Sequence, residues 1–155
     1  MSLDAFVRKW THPDYAPDAV APAALEQAEA RLGCRFPPAY REAVLGTGLP
    51  RPTIALLSSI VDRELDIADV SNFFDPAEIV ETTEGWRELG LPEHLIAFAG
   101  DCSGNLFAFD RRTASDAESP VWLFDHDFGT VRKVADSFTD WIAAFCAIDP
   151  VEADD

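Results

Sequence analysis

Leu3, Phe6, Val7 and Trp10 recur at helical spacing, which predicts a short amphipathic helix over residues 3–10. Residues 11–21 hold two prolines, Pro13 and Pro17, and read as a loop. A second helix is expected from Pro22 and Ala23, with Leu25, Ala28 and Leu32 on one face, Glu26 and Glu29 on the other, and Gly33 as a left-handed stop. Pro38 suits the first turn of a third helix, where Tyr40, Ala43 and Val44 share a face and Gly46 and Gly48 follow. Beyond Pro50 and Pro52, Ile54 to Leu57 and Ile60 to Val61 are short apolar runs without a clear period, readable as strands or as loop pieces packed on the core. A helix is expected from Pro76, with Glu78, Glu81, Glu84 and Glu88 as an acidic stripe and Ile79, Val80 and Trp86 turned to the core, until Gly90 and Pro92 break it.

The C-terminal third changes period. Residues 96–110 are two apolar runs around Gly100, Ser103, Gly104 and Asn105, the pattern of a β-hairpin. A polar loop, 111–119, leads to a third strand at 121–124, a turn at Asp127-Phe128-Gly129 and a fourth strand at 131–134. Asp136 or Ser137 then caps a last helix with Phe138, Trp141, Ile142 and Phe145 on one face. Helices first, an antiparallel meander next and a closing helix define an α+β domain, with helices expected mainly on one face of a mostly antiparallel sheet. One domain over 1–148 is expected, with an acidic, frayed tail at 149–155.

Composition narrows the partners. The chain has 155 residues, eleven Phe, four Trp and two Tyr, enough for a core without staples. Twelve basic against twenty-eight acidic side chains give a formal charge of −16. That argues against nucleic acid, whose phosphates need Lys and Arg. It keeps a domain soluble and speeds encounter with a basic protein. Cys34, Cys102 and Cys146 lack metal-ligand spacing and are expected as buried reduced thiols. With no signal-type apolar run and no stretch near the roughly 18 apolar residues that span a bilayer, a cytoplasmic protein without a membrane partner is expected.

Candidate chemistry is sparse. Asp101, Ser103 and Asn105 mimic the opening of a calcium loop, but Leu106 stands where that loop needs Gly and Arg112 where it needs Glu, so turn roles are expected. His126 lies between Asp125 and Asp127 and could serve as a base with Asp101 or Asp125, yet it has no second His nearby and reads as an exposed turn residue. No GxSxG motif or phosphate cradle is present, and Cys102 is expected to be a small turn residue. Trp86, Trp122, Phe138, Trp141 and Phe145 are expected in the core, whereas Trp10, Phe73 and Phe74, beside polar segments, are the candidates for exposed anchors.

Four pieces in order carry a family resemblance: Leu32-Gly33 ending a helix, Phe36-Pro37-Pro38-Ala39-Tyr40 opening the next, the Gly-Asn hairpin within Ile96 to Phe109, and the Ser137-Phe138 helix. Together they resemble the SUKH superfamily, typified by fungal cell-wall synthesis regulators and by bacterial immunity proteins of toxin systems. The resemblance covers most of residues 22–147 and leaves 50–92 and the first helix unmatched. It implies helices on an antiparallel sheet, no catalytic residues and no cofactor. It further implies a non-enzymatic module whose partner is a protein, on the bacterial side a toxin of nuclease or deaminase type.

The acidic residues Asp62, Glu64, Asp66, Asp69, Glu78, Glu81 and Glu84 are the expected partner-binding set, because carboxylates can occupy a cleft built for phosphates. The alternative is a cytosolic regulatory or scaffold protein that binds a signalling partner without inhibiting it.

Overall fold

A computed structural model describes residues 2–114, 116 and 119–151. The chain runs α1 (Leu3–Trp10), α2 (Pro22–Leu32), α3 (Pro38–Gly46), α4 (Ile54–Asp62), β1 (Asn72–Phe73), α5 (Pro76–Arg87), β2 (Leu95–Gly100), β3 (Leu106–Asp110), β4 (Val121–Asp125), β5 (Thr130–Ala135) and α6 (Phe138–Cys146). The strands form one antiparallel meander in the order β1-β2-β3-β4-β5, so the α+β architecture holds.

Local chemistry sets most boundaries. The Ser2 hydroxyl accepts from Ala5 N and opens α1, and Gly33, at φ 70°, closes α2 by donating to Glu29 O. Asp75 and Glu78 form a reciprocal capping box at the start of α5. Ser137 caps α6 by accepting from Asp140 N at 3.0 Å. Residues 54–61 are neither strands nor loop pieces but lie within α4. Leu56, Ser59 and Ile60 are its buried residues, and this inward face decides the helix where the apolar run itself shows no period. β1 is a two-residue strand, too short to show alternation in the sequence.

Pairing of Phe107 with Leu123 and of Phe109 with Val121 puts these four side chains on one face of the sheet. There Trp141 of α6 lies 4.8 Å from Phe107, and Tyr40 of α3 lies 5.2 Å from Phe109. Phe98 stacks on Phe109 at 4.0 Å, next to a bulge between Ala97 and Ala99. Each such buried Phe contributes about 1.5–3 kcal/mol relative to exposure. Helices α1, α3 and α6 gather on this face. Helix α5, backed by α2, covers β2 from the other, where Trp86 meets Phe124.

Trp10, Phe73 and Phe74 are not exposed anchors. All three are buried, because α1 is part of the core: Phe6 meets Phe73 and Phe145 edge-on, and Trp10 Nε1 donates to Phe145 O at 3.0 Å. Of the tail, Asp149 and Pro150 give their carbonyls to Arg63, and Val151 N donates to Ser59 Oγ at 3.0 Å. Residues 152–155, the rest of the expected frayed tail, lie outside the described residues, as do 115, 117 and 118 of the loop expected at 111–119.

Candidate protein-binding surface

The acidic segment follows α4 directly. Glu64 takes a left-handed backbone at φ 53°, and Leu65 N donates to Ile60 O at 3.0 Å. This is the closing turn that ends many helices, here with Glu in the position Gly usually holds. It reverses the chain so that Asp62, Glu64 and Asp66 are all exposed. None of the three has an ion-pair or side-chain hydrogen-bond partner among the described residues. Arg63, the one cation among them, points its guanidinium to the carbonyls of Asp149 and Pro150. Asp66 also borders a cleft of about 210 Å³ whose other walls include Phe107, Arg132, Lys133 and Trp141. Lys133 is engaged by Asp136 at 2.8 Å.

The remaining four expected residues are placed differently. Asp69 is buried, and its Oδ1 accepts from Cys102 N at 3.2 Å. Glu78 completes the α5 capping box by accepting from Asp75 N at 3.1 Å. Glu84 pairs with Arg31 of α2 at 2.9 Å, and this hydrogen bond holds its carboxyl below the usual range. Glu81 is exposed on α5 beside the seam with α2. The cleft at Asp66 opens on the Trp141 face of the sheet, whereas α5 covers the Phe124 face. The seven carboxylates therefore form two groups on opposite faces; among the described residues Asp62, Glu64 and Asp66 make the cluster that is both exposed and unpaired, while Glu81 stands singly in that state on α5.

The hairpin residues have turn roles. Asp101 Oδ1 accepts from Ser103 N and Asn105 N at 2.9 and 2.8 Å. Asp125 Oδ1 likewise accepts from Asp127 N at 2.9 Å and Phe128 N at 3.3 Å. His126 is half-buried, not exposed as expected: its Nδ1 lies 2.8 Å from Asn105 Oδ1 and its ring 5.8 Å from Trp86. Turn amides engage Oδ1 of Asp101 and of Asp125, the two acids expected to act with it, and the carboxylate that meets the ring is that of exposed Asp127, 3.3 Å from Nε2. Of the cysteines only Cys146 is buried. Cys34 is half-buried and Cys102 exposed at the hairpin tip, where a turn leaves no room for cover. Among the described residues no group of three or more His, Cys, Asp or Glu is arranged to hold a metal ion.

Sequence patterning missed the exposed apolar side chains beside the acids. Ile54 and Val61 are 76% and 62% exposed, and Leu65 is exposed as well. Their seven-residue spacing was the available signal, once the segment is known to be a helix.

A helical N-terminal half and a five-stranded antiparallel meander define an α+β domain, here in a chain of formal charge −16. The family model of the SMI1 / KNR4 family (SUKH-1) matches residues 19–144, and the chain belongs to that family. The family is generally non-catalytic, and the SUKH group includes immunity proteins. The match leaves out α1, although α1 supplies core residues. No curated protein matches the chain. No helix among the described residues is long and apolar enough to cross a membrane.

Proposed function

We propose that this chain is a non-enzymatic, cytoplasmic immunity protein that neutralises a cognate basic toxin of nuclease or deaminase type. Its carboxylates would occupy the toxin's nucleic-acid cleft in place of phosphates. The observation that carries the reading is the exposed trio Asp62, Glu64 and Asp66, unpaired in a chain of formal charge −16. Unpaired carboxylates on one short segment steer a cationic partner and stay available for its Lys and Arg. Family membership supports a protein partner over a substrate.

The test is to copurify the chain with the product of the neighbouring reading frame and assay that product's activity with the chain in excess. Loss of activity in a salt-sensitive complex is expected. Persisting activity, or a neighbour that is no toxin, overturns the reading. Recovery of signalling or housekeeping proteins from native lysate, with no inhibition of any, favours the regulatory scaffold instead.

A further inference from the structure

Six large apolar side chains are exposed among the described residues: Tyr15, Ile54, Val61, Leu65, Leu89 and Phe128. Three of them stand alone in separate loops and turns, which is ordinary for a protein surface. The other three, Ile54, Val61 and Leu65, belong to α4 and its closing turn. On a helix of 3.6 residues per turn, Ile54 and Val61 fall almost in line, about two turns or 10 Å apart. Half-buried Leu57 borders the same stripe and exposed Ser58 lies within it, while Leu56, Ser59 and Ile60 hold the opposite side in the core. The stripe is thus an outward apolar face on a helix already anchored by its inward one. Asp62, Glu64 and Asp66 rim its C-terminal end, and Arg63, the cation within that segment, is turned to the tail carbonyls.

We infer that the outward face of α4 is a docking surface for an amphipathic helix of a partner protein, one with an apolar stripe flanked by Lys or Arg. The inference rests on the protein-binding reading above and names the chemistry of the partner's contacting element. Charge complementarity selects this occupant. A second copy packed parallel would set the same carboxylates against each other, and one packed antiparallel would bring them to the Ile54 end, where Arg51 is already engaged by Asp18, whereas a basic helix pairs its cations with the rim as its apolar residues cover Ile54 and Val61. The two-turn spacing matches anchors at i, i+3, i+4 and i+7 on a facing helix.

The probe is a synthetic two-heptad peptide of Leu and Lys with Leu at helical spacing, titrated into the full chain and followed by backbone amide NMR. A permuted peptide of the same composition serves as control. The ordered peptide is expected to shift amides within residues 54–66 and to bind at least about tenfold more tightly than the permuted one. Ile54→Ser with Val61→Ser should abolish that preference with the spectrum of the free chain otherwise retained, since both positions are exposed. Equal affinity for the two peptides, or shifts centred on α5, overturns the inference. If the ordered peptide maps to 54–66 but no toxin is neutralised, the immunity reading alone fails. If a toxin is neutralised equally by the wild type and the double variant, this inference alone fails.

Discussion

The carboxylate of Asp69 accepts a hydrogen bond from the backbone N–H of Cys102 at 3.2 Å, fastening the acidic segment to the turn of the β2–β3 hairpin. Thirty-three positions separate the two residues, and Ser71 N adds a second tie to Gly100 O at 2.9 Å. The segment that carries the exposed acids is therefore held at its far end by one of its own acids. Asp69→Ala should cost about 1 kcal/mol by urea unfolding, because a turn N–H loses its partner, and Asp69→Asn should cost less because an amide oxygen still accepts. An Asp69→Ala variant as stable as wild type would remove Asp69 from this role.

The seven acids should separate into two kinds. Asp62→Asn, Glu64→Gln and Asp66→Asn together should leave stability within about 0.5 kcal/mol but weaken the partner complex and flatten its dependence on salt. Glu78→Ala with Glu84→Ala should do the reverse, lowering the melting temperature through the lost cap and the lost Arg31 pair while the salt dependence stays. Thermal melts beside binding measured at two ionic strengths check both arms. Identical behaviour of the two sets would contradict the division seen in the structure.

Acid should weaken one tie more than its neighbours. Arg112 Nη2 lies 2.8 Å from Asp110 Oδ2, and Arg112 N lies 2.9 Å from Oδ1. The guanidinium hydrogen bond holds the buried Asp110 carboxyl below its ordinary range. A lowered folded-state pKa means that the unfolded chain takes up the proton first. The stabilisation is therefore complete above the unfolded value near about pH 4 and is lost as pH falls through the lower folded value. Wild type should exceed Asp110→Asn by about 1–2 kcal/mol at pH 7, and the gap should close progressively below pH ~4. A gap that stays constant down that range counts against the pair.

Thiol labelling should occur in order. Burial pushes the Cys34 thiol up to about 11, with the charge of Glu29 adding to it, and burial raises Cys146 as well. Cys102 is exposed, but partial desolvation and the Asp69 and Asp101 carboxylates raise its thiol also. With a disulfide reagent at pH 8, one thiol should react first, more slowly than free cysteine, and Cys102→Ser should remove that phase. The other two should follow only on unfolding. A first phase that survives in Cys102→Ser would assign it elsewhere.

Short-range chemistry was readable without coordinates. The left-handed stop at Gly33, the cap at Ser137, the helix from Pro76 and the turn at Asp101 to Asn105 each depend on residues within a few positions of one another, so each is written in the local order of side chains. Short apolar runs separated by turn residues likewise announced the meander, and the four ordered pieces announced the family.

Long-range contact decided the rest. Residues 54–61 are apolar or small at every position, so no period told helix from strand until Leu56, Ser59 and Ile60 found the core. Trp10, Phe73 and Phe74 sit beside polar residues in the chain, and partners far off in sequence, such as Phe145 and Trp141, bury them. The same holds for the acids. In the sequence Asp62, Glu64, Asp66 and Asp69 look equivalent, yet a turn at Glu64 exposes three of them and a hairpin from another part of the chain takes the fourth. Charge is a property of the residue, but whether that charge is free depends on what the fold brings within about 3 Å of it.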